Sequence, residues 1–194
     1  MTKESIVNGY DKMQLDISSA KDSYLEDMFK YIKSYFSKDK SLWSWETFYP
    51  YLEDKVYESL TKTYSITAAA VKNIYGIQFK ETIDRESLAS LTYSKDGKTL
   101  EERFHKHYDE AIKRENPSNY FYNRTVLIVD TETSHSRNHV IHGKMKKLAT
   151  HVEVLEWPEC AEESGSECEY WLVKGKMPIE DLKELPPYHP DCDC

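Results

Sequence analysis

The spacing of hydrophobic residues predicts a helix that begins at Asp22. From this residue onward, apolar side chains recur every three or four positions, which places them on one face of a helix. The residues of this face are Tyr24, Leu25, Met28, Tyr31, Ile32, Tyr35 and Phe36. Residues 1–21 are more polar, and we expect them to form a flexible N-terminal arm.

A second and a third helix are predicted after a polar break at residues 37–40. The second is expected to begin near Pro50, because proline is tolerated in the first turn of a helix. The third is expected to be capped by Ser65 and stopped by Gly76, since these residue types favour helix starts and ends. The apolar positions are Leu52, Val56 and Leu60 in the second helix, and Ile66, Ala69, Ala70 and Ile74 in the third.

Two more helices are predicted before residue 150. Thr99 and Glu102 have the spacing of a capping box, in which each side chain bonds to the other residue's backbone N–H. The apolar face of that helix is Leu100, Phe104, Tyr108 and Ile112. Residues 116–119 are expected to end it. The apolar run at residues 126–129 alone would suit a strand, but the polar residues after it favour a long helix over residues 124–148.

The pattern changes after Ala149. Residues 152–157 alternate between apolar and polar side chains, which is typical of a strand, and residues 170–173 predict a second strand. The predicted fold class is therefore α+β. A mainly helical body at residues 22–149 is followed by a small C-terminal β unit at residues 150–194, which bears a cysteine cluster and packs on the body.

Composition narrows the functional classes. The chain has 194 residues, of which 39% are hydrophobic and 31% charged, so it can build a core. The net charge of -8 disfavours broad binding to nucleic acid, because phosphate contacts need clustered lysine and arginine. The N-terminus lacks the apolar core of a signal peptide, and no apolar run approaches the ~20 residues that cross a bilayer. We expect a soluble protein made in a cytoplasm, without membrane contact.

The cysteines form the first candidate site. Cys160, Cys168, Cys192 and Cys194 supply four potential thiolates, enough for a tetrahedral zinc ion, and His189 is an alternative nitrogen ligand. A reducing compartment favours a metal site over disulfides. Free thiols and a disulfide formed after release from the cell remain the alternatives. Zinc with four protein ligands would be structural, because no position stays open for a catalytic water.

The histidines form the second candidate site. His135, His139 and His142 lie on one face of a predicted helix, and the first two have the spacing of a helical metal pair. No glutamate follows His135, so the metalloprotease pattern is missing and a polar helix face is the alternative. His105 and His107 cannot share a face at their spacing, and we expect them to be solvated.

The acidic residues do not complete a recognisable active site. Asp130 and Glu132 resemble a carboxylate pair for acid–base chemistry, but an internal salt bridge from Glu132 to Arg137 also explains them. The chain contains no glycine-rich phosphate loop, nucleophile elbow or kinase signature. We therefore expect a protein that is not an enzyme.

Five sequence elements follow one another over residues 124–194. In order they are Thr131-Glu132-Thr133 with Arg137 and Asn138, then Glu156-Trp157, then Cys160 and Cys168, then Gly175-Lys176 with Pro178-Ile179, and finally Pro186-Pro187-Tyr188-His189-Pro190-Asp191-Cys192-Asp193-Cys194. In this succession the C-terminal half resembles the phage Mu F-like minor head proteins, also called the head-morphogenesis family. The chain departs from the family pattern at Asp130, Asp191 and Asp193, and its upstream cysteines are more widely spaced.

The resemblance implies a structural protein of a tailed-phage virion. Family members associate with the portal vertex and act in head morphogenesis or in genome packaging and ejection. The implied partners are the portal protein and also the major capsid or scaffolding protein, while DNA contact is left open. Two other functions are compatible with the residues: a metal-dependent hydrolase that uses the helix histidines, and a small zinc-binding adaptor.

Overall fold

The computed structural model describes residues 3–77, 83–89, 92, 97–146, 149–152 and 176–182. This part of the chain is mainly helical, as predicted. Its helices are α1 (Lys3–Phe36), α2 (Trp45–Tyr75), α3 (Arg85–Ala89), α4 (Leu100–Ala111) and α5 (Pro117–Met145). A 3₁₀ turn at Lys40–Leu42 connects α1 to α2, and another lies at Ile179–Asp181.

Helix α1 begins at Lys3, so the structure corrects the expected flexible arm. The arm's described residues form the first turns of α1, where Met13 and Ile17 are each only 3% exposed. Their spacing continues the apolar face that was predicted to start at Asp22. Because α1 packs along both α2 and α5, these early turns have a surface to bury against.

Helix α2 is continuous where two helices were predicted. It begins five residues before Pro50, which therefore lies inside the helix. Ser65 is not a cap, since its hydroxyl donates a hydrogen bond to the carbonyl oxygen of Thr61 at 3.1 Å within the helix. The predicted stop at Gly76 is confirmed: this residue has φ of 70° and its N–H bonds to the carbonyl oxygen of Lys72 at 2.8 Å.

Helix α4 starts as predicted, whereas α5 starts earlier. The N–H of Thr99 donates to Glu102 Oε2 at 2.7 Å, and the N–H of Glu102 donates to Thr99 Oγ1 at 3.2 Å, which confirms the capping box. Pro117 is the first residue of α5, and Asn116 Oδ1 accepts a bond from the Asn119 N–H at 3.3 Å. The segment at residues 126–129 is helical, so the long-helix prediction was right.

Two short strands lie after the helices. Strand β1 (His151–Val152) pairs antiparallel with β2 (Met177–Pro178), with His151 opposite Pro178 and Val152 opposite Met177. Most of the first predicted strand and all of the second, at residues 170–173, lie outside the described residues. The described part of the C-terminal unit therefore contains one strand pair.

The core joins α1, α2, α4 and α5 through aromatic side chains. Phe48, Phe104 and Phe121 are fully buried. The ring centroid of Phe48 lies 4.3 Å from that of Tyr35 and 5.1 Å from that of Phe121. Much of the aromatic content of α2 thus serves packing.

Among the helices that the structure describes, none combines the length and the apolar character needed to cross a membrane.

Candidate functional site

The middle of α5 carries an unusual set of buried polar residues. These are Thr131, Glu132, Thr133, Ser134, Ser136 and Arg137, each at most 5% exposed. A buried charge is costly unless it is paired. Glu132 meets this requirement through an ion pair between its Oε1 and the Nη1 of Arg103 on α4. The pair joins two helices that the core also holds together.

The polar stretch also connects α5 to α1. Arg137 donates through Nη1 to Gln14 Oε1, and its Nε donates to Asn138 Oδ1 at 3.0 Å. Lys21 Nζ pairs with Asp130 Oδ1. Glu132 and Arg137 therefore contact different helices, and the bridge predicted from the Glu132 or Thr133 region to Arg137 stays a prediction. Glu132 and Arg137 thus connect α5 to the neighbouring helices α4 and α1.

The histidines of α5 lie on one face, as their spacing predicts. The ring centroids of His135 and His139 are 5.8 Å apart. Burial lowers the pKa of His135 to about 4, and His139 and Arg103 add to this shift. Burial also lowers the pKa of His142. Within the described ranges, no group of three or more His, Cys, Asp or Glu side chains is placed to hold a metal ion.

The two histidines of α4 contact different neighbours. The ring centroid of His105 lies 4.6 Å from that of Trp45, whereas His107 lies half-buried near Tyr120. The two rings therefore face different surroundings, as their spacing predicts, but only His105 is exposed, so the expectation that both are solvated was wrong for His107. Burial lowers the pKa of His107 even though Glu110 lies 3.8 Å away.

The predicted zinc ligands are beyond the described part of the chain. Cys160, Cys168, Cys192 and Cys194, together with His189, all lie outside it. The zinc prediction therefore rests on the donor types alone. Of the five elements that carry the family resemblance, the structure describes the first, on α5, and part of the fourth.

Sequence reasoning missed the contacts of α5 with distant residues, above all the one made by Arg103. It lies 29 residues before Glu132, and no local pattern connects the two. A fully buried glutamate requires a cation, but several lysines and arginines precede α5 in the sequence. Only the packing of α4 on α5 selects Arg103.

Three comparisons with known proteins give no relative. No protein-family model, no curated protein and no solved structure matches the chain. Function is therefore inferred from the residues of this chain.

Proposed function

We propose that this protein is a minor head protein of a tailed bacteriophage and that it acts at the portal vertex. The observation that carries the proposal is the order of five sequence elements between Thr131 and Cys194. Each element alone is common, but their succession resembles the head-morphogenesis family. The proposed location is the virion, after synthesis in the host cytoplasm.

The contacts of α5 support a structural role for the first of these elements. Glu132 is fully buried and paired with Arg103, so its carboxylate is held between two helices instead of facing a substrate. Arg137 is likewise engaged with Gln14 of α1. We therefore propose a protein without catalytic activity, whose Thr-Glu-Thr stretch holds the helical body together.

We further propose that the C-terminal cysteines bind a structural zinc ion. Cys160, Cys168, Cys192 and Cys194 would supply four thiolates, with His189 as a substitute for one of them. Such an ion would connect a segment near residue 160 to the end of the chain. A small unit closed in this way gains folding free energy from the metal.

The proposed portal contact is the connection between α1 and α2, at residues 37–44. Leu42 is 64% exposed there, and the partly buried rings of Trp43 and Trp45 lie beside it. Aromatic residues are enriched in protein interfaces, because they bury a large area at a small cost in conformational entropy. Portal, major capsid and scaffolding proteins are the candidate partners.

The decisive experiment is to look for a portal gene in the gene neighbourhood and to co-express its product with this chain. We expect the two proteins to co-purify, and we expect mass spectrometry to find this chain in purified particles. Leu42→Asp should weaken co-purification, whereas Leu15→Asp should not, although Leu42 and Leu15 are similarly exposed, at 64% and 66% respectively. A gene neighbourhood without head genes, together with particles that lack this chain, would refute the proposal.

The zinc ion has its own test. Metal analysis of purified protein should find zinc in the wild type and less in Cys192→Ser and Cys194→Ser, which should also melt at a lower temperature. If the wild type holds no zinc and the variants melt at the same temperature as the wild type, the cysteines do not bind the ion. That result would leave the virion role standing.

A further inference from the structure

The geometry of α5 points to a metal site that is separate from the cysteines and goes beyond the proposed function. We propose that His135 and His139 together bind one divalent late first-row transition ion. The two residues are one helical turn apart, so their side chains project from the same face. Their ring centroids are 5.8 Å apart.

This separation suits a shared ion. Two imidazoles that bind one ion at about 2.0–2.1 Å per nitrogen place their ring centres roughly 4.5–6 Å apart, depending on the angle at the metal. The observed separation of His135 and His139 lies in this range, so one ion can bind both rings without a change in the distance between them. The backbone of α5 can remain helical.

The site is open to solvent on one side. His139 is exposed and His135 is half-buried, but Nδ1 of His135 is buried, so the ion would bind His135 through Nε2. Partial burial of His135 restricts its side-chain rotamers and so reduces the entropy lost on binding.

The surrounding charges do not prevent binding. Arg103 lies near enough to His135 to influence it, but its charge is balanced by the carboxylate of Glu132. His142 lies further along the same face, with Lys146 beside it. Because the described residues offer no group of three donors, water would complete the coordination of the ion.

The ligand type selects the class of ion. Imidazole nitrogen suits Cu²⁺, Ni²⁺ and Zn²⁺, whereas Mg²⁺ and Ca²⁺ prefer oxygen ligands. Two protein ligands make a site of modest affinity that cross-links successive turns near the end of α5. The ion would stabilise these turns and would not form a hydrolytic centre, which normally needs three protein ligands and an activated water.

The site can be tested with Ni²⁺ by equilibrium dialysis of the full-length chain. We expect the wild type to bind one more equivalent of Ni²⁺ than His139→Ala. We expect His105→Ala to bind as much Ni²⁺ as the wild type. Both variants remove an exposed histidine, but only His139 has a histidine partner one turn away. Circular dichroism should show the same helix content in all three proteins.

Alkylation of the thiols separates this site from the cysteines. If the extra equivalent survives alkylation and Ni²⁺ selectively broadens the imidazole NMR signals of His135, the assignment is supported. If His139→Ala binds as much Ni²⁺ as the wild type, or if alkylation removes the equivalent, the two-histidine site is overturned. Neither outcome bears on the portal association, which is measured in a different assay.

Discussion

Arg103 of α4 and Glu132 of α5 form an ion pair in which the glutamate side chain is completely buried and the arginine side chain is 17% exposed. Their helices are connected by a short turn, yet the paired residues are 29 positions apart. The pair sits beside the aromatic core and fixes how α5 lies against α4. The free energy of unfolding should therefore depend strongly on both partners being present.

Removing one partner should be much more harmful than removing both. We expect Arg103→Met to lower the free energy of unfolding by about 3–5 kcal/mol, because it leaves a carboxylate buried without its cation. Adding Glu132→Leu should recover most of that loss. Urea unfolding measures both variants. The control is Glu26→Ala, which breaks the exposed pair with Lys30 and should leave stability unchanged; equal midpoints for Arg103→Met and this control would contradict the prediction.

Phe48 should be a central packing residue of the core. It is 0% exposed and contacts aromatic rings from α1, α4 and α5. Phe48→Ala should cost about 3–5 kcal/mol, since both buried apolar area and close contacts are lost. Leu42→Ala, at a 64% exposed site, should change stability by less than about 0.5 kcal/mol. Chemical denaturation, with one m-value fitted to both variants, would measure the two losses in free energy of unfolding. Similar losses in the two variants would show that Phe48 is not a central packing residue.

Two glycines should respond in opposite directions to the same added methyl group. Gly143 lies inside α5, and a Cβ there would meet nothing within 4 Å, so Gly143→Ala should stabilise the protein by about 0.5–1 kcal/mol. Gly76 has φ of +70°, so Gly76→Ala should destabilise it by about 1–2 kcal/mol. Thermal unfolding of the two variants shows whether each melting temperature rises or falls. A lower melting temperature for Gly143→Ala would contradict the expected helix propensity effect.

Stability should fall in mild acid, in part because of His107. Burial lowers the pKa of its imidazole in the folded state, and this effect is larger than the rise that the charge of Glu110 causes. The unfolded chain therefore binds the proton more readily, so this contribution is intact above the ordinary pKa of about 6.5 and is lost as the pH falls below it. We expect the free energy of unfolding to drop less between pH 7.5 and pH 5 in His107→Gln than in the wild type.

His135 and His142 also have a lowered pKa, so His107→Gln should reduce the drop without abolishing it. If His107→Gln and the wild type lose the same stability between the two pH values, His107 does not contribute.

The sequence by itself determined the features that depend on neighbours within a turn or two. The capping box of Thr99 and Glu102, the stop at Gly76 and the common face of His135 and His139 all follow from short spacings. Such contacts depend on local backbone geometry, which changes little with the rest of the fold. The mainly helical class was predictable for the same reason.

Only the tertiary structure decided how far helices extend and which distant residues meet. The first turns of α1 carry few apolar residues, and they are ordered because Met13 and Ile17 find buried positions against other helices. Strand β1 likewise meets β2 across a long separation in sequence. Glu132 needed a cation, but the choice of Arg103 came from the packing of α4 on α5. Burial is a property of the assembled fold, so local spacing cannot specify it.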